Sequence, residues 1–261
     1  MPCVQRLKAI TTDAWLELLR EHPPDPRPAP RDTWETLGLY LVAGLVLALN
    51  YYAAPAIFAA LPATWTHDAL PGADRLVWIS ATIMFYTIPP ILYLRFILHR
   101  PLRDMGLSMR GFTCHLHVYL TLALTVLTLV YLVSGTPHFL KTYPMARDTA
   151  AHGGMLMAWM SLYALQFVGL EFFFRGFLVH GPARVLGAWA VPIMVIPYMT
   201  LHFQKPWLET GGAVIAGMAL GMIALKTRSI CAGILLHITV AWFMELMALY
   251  HIGKMSRLLG E

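Results

Sequence analysis

The stretch Tyr163-Ala164-Leu165-Gln166-Phe167-Val168-Gly169-Leu170-Glu171-Phe172-Phe173-Phe174-Arg175-Gly176-Phe177-Leu178 decides how the rest of the chain is read. It is apolar enough to lie in hydrocarbon, yet it holds an acid and a base four residues apart. On a helix, Glu171 and Arg175 share a face with the acid on the N-terminal side, the favourable order. Each charge offsets part of the other's desolvation, so the plain reading is an ion pair that fastens this helix to its neighbours. The competing reading is a functional site, because ionisable groups are costly inside a membrane span and mark one by default.

Working outward, this stretch lies in one of seven apolar runs, at about 36–60, 76–98, 115–134, 154–181, 189–203, 209–226 and 229–250. Roughly 20 residues of helix cross about 30 Å of hydrocarbon. Composition agrees: 58% of the 261 residues are hydrophobic, 13% are charged, and mean hydropathy is +0.60. A soluble domain has about 45–50% and about 25%. The expected fold class is therefore all-α, a polytopic transmembrane helix bundle of seven spans. The fifth run is short and contains Pro192 and Pro197, which blurs its ends and leaves room for an eighth, broken segment.

Residues 1–34 have soluble composition and form an expected tail, an amphipathic helix over Thr12–Glu21 followed by the proline-rich run from Pro23 to Pro30. Residues 35–261 form the expected bundle. No continuous apolar stretch follows Arg6 and Lys8, so a cleaved signal peptide is not indicated and the first span is expected to stay as an anchor. With seven spans, the tail and the connections near 99–113, 182–188 and 226–229 share one side. That side carries Arg6, Lys8, Arg20, Arg27, Arg31, Arg100, Arg103, Arg110, Arg184, Lys226 and Arg228, whereas Arg75, Lys141, Arg147, Lys205, Lys254 and Arg257 lie opposite. The positive-inside rule then predicts a multi-pass protein of the cell membrane with a cytoplasmic N-terminus.

Cys3, Cys114 and Cys231 show no CxxC spacing, so they read as small hydrophobes rather than as a disulfide framework or a thiolate metal site. The net charge of +5 and pI of about 9.2 have no accompanying basic block or basic-aromatic stripe. Nucleic acid is excluded as a partner, and the basic residues serve to orient spans in the lipid bilayer.

If the fourth and fifth spans form a hairpin turning near Leu186 and Gly187, Glu171 and His202 lie about 15–16 residues from the turn and reach nearly equal depth. An acid and an imidazole at one level inside a bilayer can share a bound water. His237 lies about 12 Å into the seventh span, measured from Ser229. A lone membrane histidine is more often a bond between helices than a catalyst, but three levelled groups of complementary chemistry favour a site. Glu245, two turns beyond His237 with Ala241 between, either points inward or packs near the span's end. Glu209 opens the sixth span, where a carboxylate suits a helix N-terminus, and capping is its expected role. Ala213, Gly217 and Gly221 form a small-residue stripe for close helix packing. The other histidines, His22, His67, His99, His115, His117, His138, His152, His180 and His251, are assigned no chemistry.

The runs Glu171-Phe172-Phe173-Phe174-Arg175-Gly176 and Tyr198-Met199-Thr200-Leu201-His202, followed by Ser229 leading to His237, together resemble the CAAX protease and bacteriocin-processing (Abi) family of intramembrane proteases. That family's motifs run EExxxR, FxxxH and HxxxN, and the resemblance covers about residues 76–250. It implies a helix bundle with a water-accessible cavity in which a glutamate and the FxxxH histidine activate water for peptide hydrolysis, while the last motif holds the oxyanion. Carried over residue by residue, the implied catalytic set is Glu171, Arg175, His202 and His237, with Tyr198 in place of phenylalanine. Leu170 stands where the family's first glutamate does, and Ala241 stands where its asparagine does. Residues 170 and 171 point about 100° apart, so Glu171 does not inherit its neighbour's position. Either this is a single-glutamate branch with Glu171 or Glu245 as base, or catalysis has been lost; the retained arginine and histidines favour an active branch.

The expected function is thus an intramembrane endopeptidase acting on a membrane-anchored or prenylated protein or peptide, with no cofactor. A metal-dependent version would use two histidines and a carboxylate around zinc, but HExxH spacing is absent and Arg175 disfavours a cation. A non-enzymatic scaffold or receptor for membrane segments is the reading favoured by Leu170 and Ala241. A transporter is disfavoured by the lack of an internal repeat.

Overall fold

The computed structural model describes residues 12–60, 72–109, 115–151, 153–203 and 205–254. Cys3, Cys114, His67 and His152, together with the start of the tail, fall outside these residues; of the cysteines, the half-buried Cys231 is described. Among the described residues the regular structure is helical throughout: α1 (Thr12–Glu21), α2 (Pro30–Ala59), α3 (Ala73–Leu92), α4 (Leu116–Val133), α5 (Pro137–Thr142), α6 (Gly153–Glu171), α7 (Ala183–Leu186), α8 (Ala190–Thr200), α9 (Trp207–Thr227) and α10 (Cys231–His251). A π-helical stretch prolongs α3 over Tyr93–Ile97, and another prolongs α6 over Phe172–His180.

Seven helical segments are long and apolar enough to cross a membrane: Pro30–Ile57, Ala73–Ile97, Leu116–Val133, Gly153–His180, Ala183–Thr200, Trp207–Thr227 and Cys231–His251. This is the expected polytopic all-α bundle with the expected number of spans. The first begins earlier than its apolar run because Pro30 opens the helix, a position where a missing N–H costs nothing. The fifth is broken ahead of its prolines, near the expected hairpin turn: α7, a short 3₁₀ turn over Gly187–Trp189 and α8 follow one another, with Gly187 at φ +54°, and α8 then runs unbroken past Pro192 and Pro197 to Thr200.

Burial grades across the bundle in the order a bilayer protein requires. The fourth span is the most buried, and α2 and α4 present residues such as Leu41, Leu45, Leu124 and Tyr131 outward. The central core gathers Phe173, Phe174, Phe177, Leu178, Val191, Met194 and Tyr198, so the stretch after Glu171 is packed on every side. The small-residue stripe does the work its spacing suggested. A Cβ added at Gly221 would stand 2.7 Å from Val191 Cγ1, and one at Gly217 would stand 3.1 Å from the ring of Tyr198, so α9 lies close along α8.

The polar connections segregate to two ends. At one end α1 is fastened by Lys226 to Glu17 at 2.9 Å and by the edge-on pair Trp15 and Trp189, while His22 O accepts from the Ala188 amide and the Asp25 amide donates to Val185 O. Arg100 meets Glu35 at 2.7 Å and donates to Gly181 O at that same end. At the other end the Lys254 ammonium donates to Arg147 O, and Tyr143 meets Glu209. This is the alternation that seven crossings require.

Candidate active site

Glu171 closes the α-helical part of the fourth span, and Arg175 lies four residues on in the π-helical stretch. Such stretches are rare and concentrate at functional positions. Here three phenylalanines of the stretch are accommodated on different sides: Phe173 stacks on Tyr86 at 5.3 Å, Phe174 meets Tyr198 edge-on at 5.2 Å, and Phe177 meets Tyr93 at 6.2 Å. The rings exclude water from the Arg175 side, leaving the guanidinium and carboxylate 0% and 1% exposed.

Glu171 Oε1 is 3.1 Å from Arg175 Nη1 and 2.7 Å from His237 Nδ1. Both contacts are at ion-pair distance, but neither is aligned as a hydrogen bond: both Glu171 oxygens, His237 Nδ1 and all three Arg175 nitrogens lack one of ordinary angle. Poorly aligned catalytic contacts are common before a substrate is seated. The other carboxylate oxygen faces Gly233 so closely that a Cβ there would lie 2.5 Å from Oε2. A glycine on α10 therefore lets that helix close on the acid, and the same helix delivers His237 one turn later. The imidazole lies flat against Phe167, with ring centres 5.4 Å apart and an interplanar angle of 2°.

Tyr198 connects the remaining groups. Its hydroxyl is 3.1 Å from His237 Nε2, its ring lies 4.3 Å beneath Arg175 Cζ, and its carbonyl oxygen is 3.3 Å from His202 Nδ1. His202 lies in the turn just after α8, half-buried, and its own carbonyl accepts from Thr210 Oγ1 at 2.6 Å. The structure thus brings Glu171, Arg175 and His237 into direct contact and places His202 against Tyr198. His237 touches Glu171 directly because α10 approaches the acid across Gly233, whereas the expected link from Glu171 to His202 runs through a bound water. The motif marks Tyr198 only as a substitute for phenylalanine. The available signal was a hydroxyl four residues before a histidine, on the same helical face.

Glu245 belongs elsewhere. It is 1% exposed and accepts from the Met145 amide at 2.8 Å and from Trp159 Nε1 at 3.3 Å, about two turns along α10 from His237. Leu170 is 7% exposed in the apolar core, and Ala241 packs with Trp159 and Tyr163. Glu209 does not cap its helix. Its carboxylate meets Lys205 at 2.7 Å and accepts from the Tyr143 hydroxyl at 2.9 Å, because these charged and phenolic donors outcompete the helix amides. In this connection outside the spans, burial pushes the Tyr143 phenol well above its ordinary pKa and Glu209 adds to the effect, so it stays a donor. Burial opposes the Lys205 charge, but Glu209 outweighs it and holds the ammonium above its usual range. Among the described residues no three His, Cys, Asp or Glu side chains are grouped to hold a metal ion.

Residues 152–243 match the family model of type II CAAX prenyl endopeptidase Rce1-like proteins. No curated protein and no solved structure matches the chain. The matched interval contains Glu171, Arg175, Tyr198, His202, His237 and Ala241, and it agrees with the resemblance drawn from the motifs. From residue 152 to residue 243, therefore, this multi-span helical chain is similar to the Rce1-like type II CAAX prenyl endopeptidases.

Proposed function

We propose that the protein is an intramembrane endopeptidase that hydrolyses a peptide bond in a membrane-associated or prenylated protein. The observation that carries this reading is the 2.7 Å contact between Glu171 and His237 Nδ1, behind an imidazole that is 17% exposed. A carboxylate on Nδ1 keeps the proton on that nitrogen, so Nε2 retains its lone pair and the ring is oriented as in an acid-histidine pair. A water at Nε2 gives up its proton to His237, and the hydroxide attacks the peptide carbonyl. The tetrahedral species then collapses with cleavage of the C–N bond as the leaving amine takes the proton. Arg175 holds Glu171 ionised. His202, with Nδ1 directed at a carbonyl, presents Nε2 as a second acceptor that orients the water or the amine.

The test is cleavage of prenylated peptides and transmembrane reporters by the purified full chain in proteoliposomes. Glu171→Gln, His237→Ala and His202→Ala are each expected to lose about 10²-fold or more of the rate, the scale of a positioned acid or base. Glu245→Gln should cleave near the wild-type rate. Undiminished hydrolysis by Glu171→Gln would overturn the assignment. The 1% exposure of Glu171 favours one other reading, a non-cleaving scaffold for membrane segments. Reporter capture with no product from the wild-type chain is the outcome that reading requires.

A further inference from the structure

We propose that the Tyr198 hydroxyl is the hydrogen-bond donor that receives the negative charge developing on the substrate carbonyl oxygen. This rests on the endopeptidase reading and adds a residue to it. The direction of the resting bond follows from the site. His237 turns Nδ1 to the Glu171 carboxylate, which leaves Nε2 as acceptor, so the phenol 3.1 Å away is the donor. Base and donor are then neighbours, as acyl hydrolysis requires: one removes a proton from water while the other stands by the oxygen that becomes charged.

The ring is held on several sides. Arg175 covers one face at 4.3 Å, Phe174 meets the ring edge-on, and a Cβ at Gly217 would lie 3.1 Å from Cδ1, so α9 closes over that edge of the ring. The side chain is 3% exposed. The hydroxyl needs only to rotate about its C–O bond to leave His237 for a substrate oxygen, with no movement of the ring. A cation on the ring face also draws electron density from the phenolic oxygen and strengthens the O–H as a donor. No proton leaves Tyr198 in the cycle. The proton from water goes to His237 Nε2 and on to the amine, and the phenol O–H is lent to the oxyanion and then returned to Nε2.

Tyr198→Phe removes the hydroxyl while keeping the ring under Arg175 and the carbonyl facing His202. For the full chain in proteoliposomes, with a reporter the wild type cleaves, kcat should fall about 10²–10³-fold, the cost of one lost oxyanion donor, with KM nearly unchanged. A second arm replaces Tyr198 with ring-fluorinated tyrosines of graded acidity. A donor in the transition state makes kcat vary along that series, whereas a packing role leaves it flat. Wild-type kcat in Tyr198→Phe, or a flat series, overturns the donor role and leaves the Glu171 and His237 reading standing, since that is tested by Glu171→Gln. A wild-type chain that cleaves no reporter overturns both.

Discussion

Glu171 has its charge held from two directions and its volume held from a third. Removing Arg175 would leave a buried carboxylate without its cation, a change that costs about 3–5 kcal/mol where it has been measured, so the pair serves stability as well as chemistry. Gly233 offers a cleaner probe of the chemistry. In Gly233→Ala the new methyl group would sit 2.5 Å from Oε2, forcing the acid away from His237 while the rest of α10 stays packed. The expected outcome is a loss of about 10²-fold in kcat/KM, the scale of a 1 Å misplacement, alongside an overpacking cost of about 1–3 kcal/mol; a rate loss that vanishes once activity is normalised to the folded fraction would point to misfolding instead. The Glu171 and Arg175 pair was legible in the sequence because i and i+4 fix a shared face. The partnership with His237 was not. Residue counting gives depth along a span, whereas the meeting of two side chains depends on how each helix is rotated, and here the absence of a side chain at Gly233 decided it.

At the scale of elements, the long apolar runs declared themselves and their interruptions were harder to read. The π-helical widening after Glu171 left no pattern in the sequence beyond a cluster of phenylalanines, because it depends on rings from two other spans. The stripe of Ala213, Gly217 and Gly221 was legible because small residues every four positions have one economical use in a bilayer, close backbone approach. Gly221→Val should therefore be costly. With Val191 Cγ1 at 2.7 Å from the position of the first added carbon, overpacking of about 1–3 kcal/mol is expected. It can be read as a lower denaturation midpoint in detergent micelles, with Gly211→Val as control, because nothing lies within 4 Å of a Cβ at Gly211.

Across the whole molecule, the polar contacts sort into two ends that seven crossings keep apart. Arg27 lies at the end where Arg100, Arg184 and Lys226 gather, and Lys141 belongs to the opposite end. The excess of basic residues predicts that the first end faces the cytoplasm. In a cysteine-free background, an impermeant maleimide added to intact cells is expected to label Lys141→Cys and to spare Arg27→Cys until the membrane is opened. The reverse pattern would invert the protein. Overall topology was readable from composition because each span must satisfy its own backbone in lipid. The members of the central cluster were named by their motifs, but which of their side chains touch was not readable, because lipid imposes no particular rotation on a helix that is apolar all round.

The amino-terminal helix is tied by the Ala188 and Asp25 amides to the short turn that leads into α8. That turn is continuous with the rod bearing Tyr198. The rod bearing Tyr198 is thus moored at its start by main-chain bonds to a segment outside the spans, an anchorage that no side-chain substitution removes.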